Sequence, residues 1–119
     1  PGQLEVWDIV NVFRPMSESP DKVIKLMGGL EGFARQKVTG LVNNSNLLNY
    51  AGPDDLRRGW EVLREVSERT GIPVVLTTGR APFLEEFLKD GRDARYIGEA
   101  VPLEPYMLRS PDNFAHGRI

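Results

Sequence analysis

Asparagine carries a paired amide donor and carbonyl acceptor without charge, the groups that read the edge of a nucleobase or another neutral polar ligand. Four of them, Asn43, Asn44, Asn46 and Asn49, fall within sixteen consecutive uncharged residues, Val38 to Pro53, of a chain in which 27% of residues are charged. The plainer use of such residues is to tie down turns and cap helices. Arg14 and Arg80 each follow an apolar run and offer guanidinium groups for phosphate or carboxylate, against the competing reading of solvated loop arginines. Thr77 and Thr78 bring hydroxyls into the segment that leads to Arg80. The pairs Asp54-Asp55 and Glu85-Glu86 read as a helix first turn and a solvated face rather than as acid/base pairs.

The elements that must position these groups alternate in type. Leu4 to Phe13 is a β-branched and aromatic run, continuous enough to predict a strand buried on both sides. Ser19-Pro20-Asp21 opens a helix, with Ser19 as N-cap and Pro20 at the first helical position, and Val23, Ile24, Met27, Leu30, Phe33 and Ala34 recur at helical spacing. Gly28, Gly29 and Gly32 within it predict close packing against a neighbour. The unit then repeats: a strand from Val38 to Asn43, a polar loop, and a helix from Gly52-Pro53-Asp54-Asp55 to about Thr70, stopped by Gly71. A third strand, Ile72 to Thr77, leads through a loop at Thr77 to Pro82 into a short helix bearing Phe83, Leu84, Phe87 and Leu88, and a weaker strand spans Arg95 to Val101. Residues 1–103 are thus expected to form one α/β domain, a parallel sheet with helices on both faces, and residues 104–119 an extended tail. Parallel strands open their carboxyl ends on one side, where α/β sheets bind ligands, so Asn11 to Ser19, Asn43 to Gly52 and Thr77 to Pro82 share the expected site.

Composition narrows the partners. A net charge of −2 with interspersed signs offers no basic stripe for nucleic acid or an anionic membrane. With no cysteine and one histidine, His116, there is no disulfide framework, thiol nucleophile or multi-histidine metal site, which fits a cytoplasmic setting. No apolar run approaches a membrane span and no signal segment opens the chain. Gly-Lys does not occur, so the sequence holds no Walker A loop, and neither G-x-S-x-G nor H-E-x-x-H is present. The apolar strand pattern that begins at Leu4, directly after Pro1-Gly2, reads as a start inside a longer protein.

The succession WDIVNVFRP, helix, VTGLVNNSNL, a Pro-Asp-capped helix and GIPVVLTTGRAPF resembles the C-terminal half of the MinD/ParA-like P-loop ATPases over about residues 4 to 84. In that family a strand of the form Gly-apolar-apolar-X-Asn ends beside the adenine, and a Gly-x-Pro strand leads into a second loop lining the base pocket. Gly40-Leu41-Val42-Asn43-Asn44 and Gly71-Ile72-Pro73-Val74-Val75 match these patterns. The resemblance implies nucleotide contacts from Asn43, Asn44, Thr78, Gly79, Arg80 and Pro82, with Arg14 as an anion contact and Asn44 against the base. It implies ATP as ligand, with magnesium and the phosphate loop supplied by an N-terminal half this chain lacks. The chain is therefore expected to recognise adenine without hydrolysing ATP by itself, and to self-associate or bind a protein partner along Leu4 to Phe13. The alternative is a self-contained, non-enzymatic α/β module that binds a partner protein. A third reading, a small enzyme acting on an anionic substrate through Arg14, Arg80 and the threonines, lacks an evident base.

Overall fold

A computed structural model describes residues 5–46 and 51–103. The strands are β1 (Trp7–Val10), β2 (Gly40–Asn43), β3 (Val74–Arg80) and β4 (Glu99–Leu103). The helices are α1 (Pro20–Ala34), α2 (Pro53–Thr70) and α3 (Ala81–Leu88), with a 3₁₀ turn at Ala94–Tyr96 before β4. All four strands are parallel, in the order β1-β2-β3-β4, and the fold is the α/β architecture expected.

Local chemistry sets the helix ends. Ser19 is extended, and its hydroxyl oxygen accepts a hydrogen bond from the Lys22 amide at 3.3 Å, leaving Pro20 in the first turn where a missing N–H costs nothing. The Glu31 carboxylate accepts from the Val38 amide at 2.6 Å, fixing the return from α1 into β2. Gly71 adopts the left-handed conformation at φ 79° and closes α2 through its N–H to the Ser67 carbonyl.

One helix layer covers the sheet. Val10, Leu41 and Val74 pack from the strands against Val23 and Met27 of α1 and Val62, Leu63 and Val66 of α2. Leu84 and Phe87 of α3 join Leu56 and Trp60 of α2 in a second cluster with Ile97. α1 packs on α2 and α2 on α3, so the helices form one continuous row. Helices on both faces were the expectation; among the described residues they occupy one. The cause is the strand order, because successive right-handed crossovers that always step in the same direction place every helix on the same side.

Three further expectations change. β1 is an edge strand with one dry face, since Trp7 is 47% and Ile9 65% exposed. The added Cβ of Gly28, Gly29 or Gly32 would meet nothing within 4 Å, so these glycines do not serve close packing among the described residues. The segment Thr77 to Arg80 is strand rather than loop, because β4 pairs with it as far as Arg80 opposite Leu103 and supplies partners for its backbone. The expected tail, residues 104–119, and Asn49 of the asparagine run lie outside the described residues.

Candidate functional site

The carboxyl ends of β1, β2 and β3 frame a cleft of about 580 Å³, a volume in the range of small-molecule sites. Its polar lining includes Asn11, Asn44, Ser45, Asn46, Arg14 and Arg80, and its apolar lining Ile9, Leu56, Phe83 and Leu103. The cleft thus combines a surface for a flat apolar ring with amides and two cations.

The asparagines divide the work. The Asn11 amide oxygen accepts from the Phe13 and Asn46 amides at 3.0 and 3.3 Å while its nitrogen donates to the Asn46 carbonyl at 3.2 Å, stitching the loop after β1 to the loop after β2. Asn43 is fully buried; it donates to the Leu56 carbonyl at 3.3 Å and accepts from the Ser45 amide at 3.2 Å. The Ser45 hydroxyl oxygen in turn accepts from the Val12 amide at 3.1 Å. Both side chains fit because residue 59 of α2 is glycine: a Cβ there would overlap the Asn43 Oδ1 and Ser45 Oγ positions.

Asn44 faces the cleft. Its backbone N–H donates to the Val10 carbonyl at 2.9 Å, continuing the β1–β2 ladder. The Thr78 hydroxyl donates to its Oδ1 at 2.8 Å. Among the described residues its Nδ2 has no partner, and an amide oxygen holding one hydrogen bond keeps a second lone pair. Among the described residues the side chain therefore presents an NH₂ group with two donor hydrogens and one acceptor site, oriented by Thr78.

Charge in the cleft is mostly positive. Arg14 and Arg80 make no ion pair among the described residues, whereas Arg57, Arg64, Arg69, Arg92 and Arg95 are each paired with a carboxylate. Gly52 and Arg80, the N-caps of α2 and α3, make no side-chain capping bond, and both line the cleft, so two helix amino ends open on it. Asp55 is the one acidic residue of the described lining.

Of the residues the sequence singled out, Asn44, Gly79, Arg80 and Arg14 line the cleft. Asn43 does not, because it is consumed in fastening the loop beneath α2; Thr78 acts through Asn44; Pro82 is exposed in the first turn of α3 and does not line the cleft. Sequence reasoning missed Asn11 as a loop stitch. A lone asparagine at the end of an apolar run, matching another at the end of the next, was the available signal. It also missed the apolar wall, which comes from four separate elements and has no local signature.

The residues fit a nucleotide's base and an anionic group. Among the described residues no three His, Asp or Glu side chains group as metal ligands. Nor is any described helix long and apolar enough to cross a membrane. Comparison with protein-family models, with curated proteins and with solved structures finds no match.

Proposed function

We propose that the cleft binds an adenine nucleotide, the chain providing recognition of the base and of an anionic group but not the chemistry of hydrolysis. One observation carries this reading: two arginines free of ion pairs share a cleft with an oriented, half-satisfied asparagine amide and an apolar wall. Arg14 and Arg80 hold the phosphate charge, aided by the amino ends of α2 and α3, and Asn44 pairs with the base edge. A partner half of a MinD/ParA-like ATPase would bring magnesium and the phosphate loop, in a cytoplasmic protein. Titration calorimetry with ATP tests this. Arg14→Ala and Arg80→Ala are each expected to weaken ATP binding by about 1 kcal/mol, roughly fivefold, while leaving adenosine binding unchanged. Equal loss for adenosine, or no ATP binding by the unaltered chain, would overturn the assignment.

The alternative reading, a non-enzymatic module that binds protein, is favoured by the exposed apolar side chains of β1 and α1. The two readings are compatible, because of those residues only Ile9 also lines the cleft.

A further inference from the structure

The strand that orients the Asn44 amide is irregular. Leu41 of β2 stands opposite Val74 of β3, but Val42 stands opposite Leu76, so β3 inserts one extra residue, Val75, between them. A bulge of this kind is unusual between parallel strands, and it changes which side chain meets which beyond it. Here it sets Thr77 opposite Asn43 on the helix side and brings Thr78 beside Asn44, where the Thr78 hydroxyl donates to the amide oxygen at 2.8 Å. Had β3 run on from Val74 without it, Leu76 would stand opposite Asn43 and Thr77 beside Asn44.

Glycines flank the bulge on both sides. A Cβ at Gly40 of β2 would lie 3.0 Å from the Val75 Cγ1, and one at Gly98, which leads into β4, would overlap the Val75 carbonyl. Gly98 also takes φ 68°, a conformation that side chains resist. The next residues fix the register itself. Thr77 is fully buried, and its hydroxyl donates to the Ile97 carbonyl at 2.6 Å. Ile97 packs in the α2–α3 cluster, so a core residue, a close backbone approach and a buried hydrogen bond all act on β3 between Val75 and Thr77. A slip of one residue would put Leu76 in the place of Thr77 and take this donor from the Ile97 carbonyl, a loss that a buried polar group does not make good.

We infer that Thr77 and Gly98 are positioning residues for base recognition: they hold the Val75 bulge in the register that sets Thr78 beside Asn44, and so fix which end of the amide faces the ligand. Neither lines the cleft. The inference rests on the adenine-nucleotide reading of the cleft and adds what sets the choice of base. Adenine offers a donor beside an acceptor, and an amide turned over exchanges its own donor and acceptor, so the same asparagine reversed suits guanine instead. The Thr78 hydroxyl, donating to Oδ1, holds one of the two orientations, and Thr77 and Gly98 hold Thr78 in place.

The test compares ATP and GTP affinity by titration calorimetry for the unaltered chain, Thr77→Val, Thr77→Ser and Gly98→Ala, with the Asn44 side-chain amide followed by NMR. Thr77→Val removes the buried hydroxyl at nearly constant size; it should cut the ATP-to-GTP affinity ratio by about fivefold, the scale of one hydrogen bond, and move the Asn44 NH₂ resonances. Thr77→Ser keeps the hydroxyl and should restore both. Gly98→Ala should act in the same direction with a larger loss of stability, and the threonine pair decides the matter where that variant fails to fold. A lowered melting temperature in Thr77→Val with the ratio and the Asn44 resonances unchanged overturns the inference, and so do equal losses in Thr77→Val and Thr77→Ser. If Asn44→Ala still loses base preference in that case, the reading of the cleft stands without it. No preference for ATP over GTP in the unaltered chain overturns both.

Discussion

The two ends of the sheet handle the same kinds of residue in opposite ways. At the β3–β4 end, Asp90 receives Arg57 at 2.7 Å and Arg92 at 3.1 Å, and these partners hold its carboxyl down at about 2. At the β1 end, Asp8 has no such partner among the described residues, and burial pushes its carboxyl above the usual range. Trp60 is buried, with the Arg92 guanidinium 4.9 Å from its ring centre and Tyr96 edge-on, whereas Trp7 is half exposed. Phe87 is fully buried in the α2–α3 cluster, and Phe33 stands almost wholly in solvent. Among the described residues, the charged and aromatic groups named at the first end meet partners within the chain, whereas Asp8 and Phe33 at the other do not.

The two phenylalanines give the largest test of that contrast. Phe87→Ala should cost about 3 to 5 kcal/mol in urea unfolding, the usual price of emptying a packed aromatic site, whereas Phe33→Ala should stay within about 0.5 kcal/mol. Comparable losses would mean that Phe33 is packed in the isolated chain. The two aspartates sharpen the contrast through pH. A carboxyl depressed to about 2 stabilises the fold fully above the unfolded value of 3.8 and loses that contribution as pH falls toward 2. Asp90→Asn should therefore lower the melting temperature at neutral pH, with the difference shrinking as pH falls through about 2. Asp8 has the opposite sign: its ionisation penalises the fold above its raised value, and the penalty disappears on acidification. Asp8→Asn should raise the melting temperature at neutral pH and leave it unchanged in acid. Shifts of the same sign in both variants would erase the distinction between the ends.

The alternating strands and helices were legible because Ser19-Pro20, Gly52-Pro53 and Gly71 act through local backbone chemistry, and the structure places helix ends at each. The single helix layer was not, since it follows from strand order, which no local pattern encodes. Burial of β1 was misread for a related reason: a continuous apolar run says that both faces want cover, and among the described residues only one face has it. At the cleft, strand-end position was enough to bring forward Asn44, Arg14 and Arg80. The resemblance set Asn44 rather than Asn43 against the base but gave both as nucleotide contacts; the register sends Asn43 beneath α2 and Asn44 toward Thr78. One residue of offset reverses the face, and with it the role.

Asn44 is where the account of the cleft is most exposed to test. If its free amide hydrogens and remaining lone pair meet the base edge, Asn44→Ala should weaken ATP binding by about 1 to 3 kcal/mol, the scale of a bidentate amide–adenine pair, and erase preference for ATP over GTP. Its hydrogen bond with Thr78 spans two neighbouring strand ends, so the melting temperature should fall only slightly. The measurement is ATP and GTP affinity together with melting temperature on the same Asn44→Ala preparation. Lost base preference with near-unchanged melting is the predicted result; an unchanged ATP-to-GTP ratio with a clearly lowered melting temperature would contradict it and leave Asn44 as a fastening of its own loop.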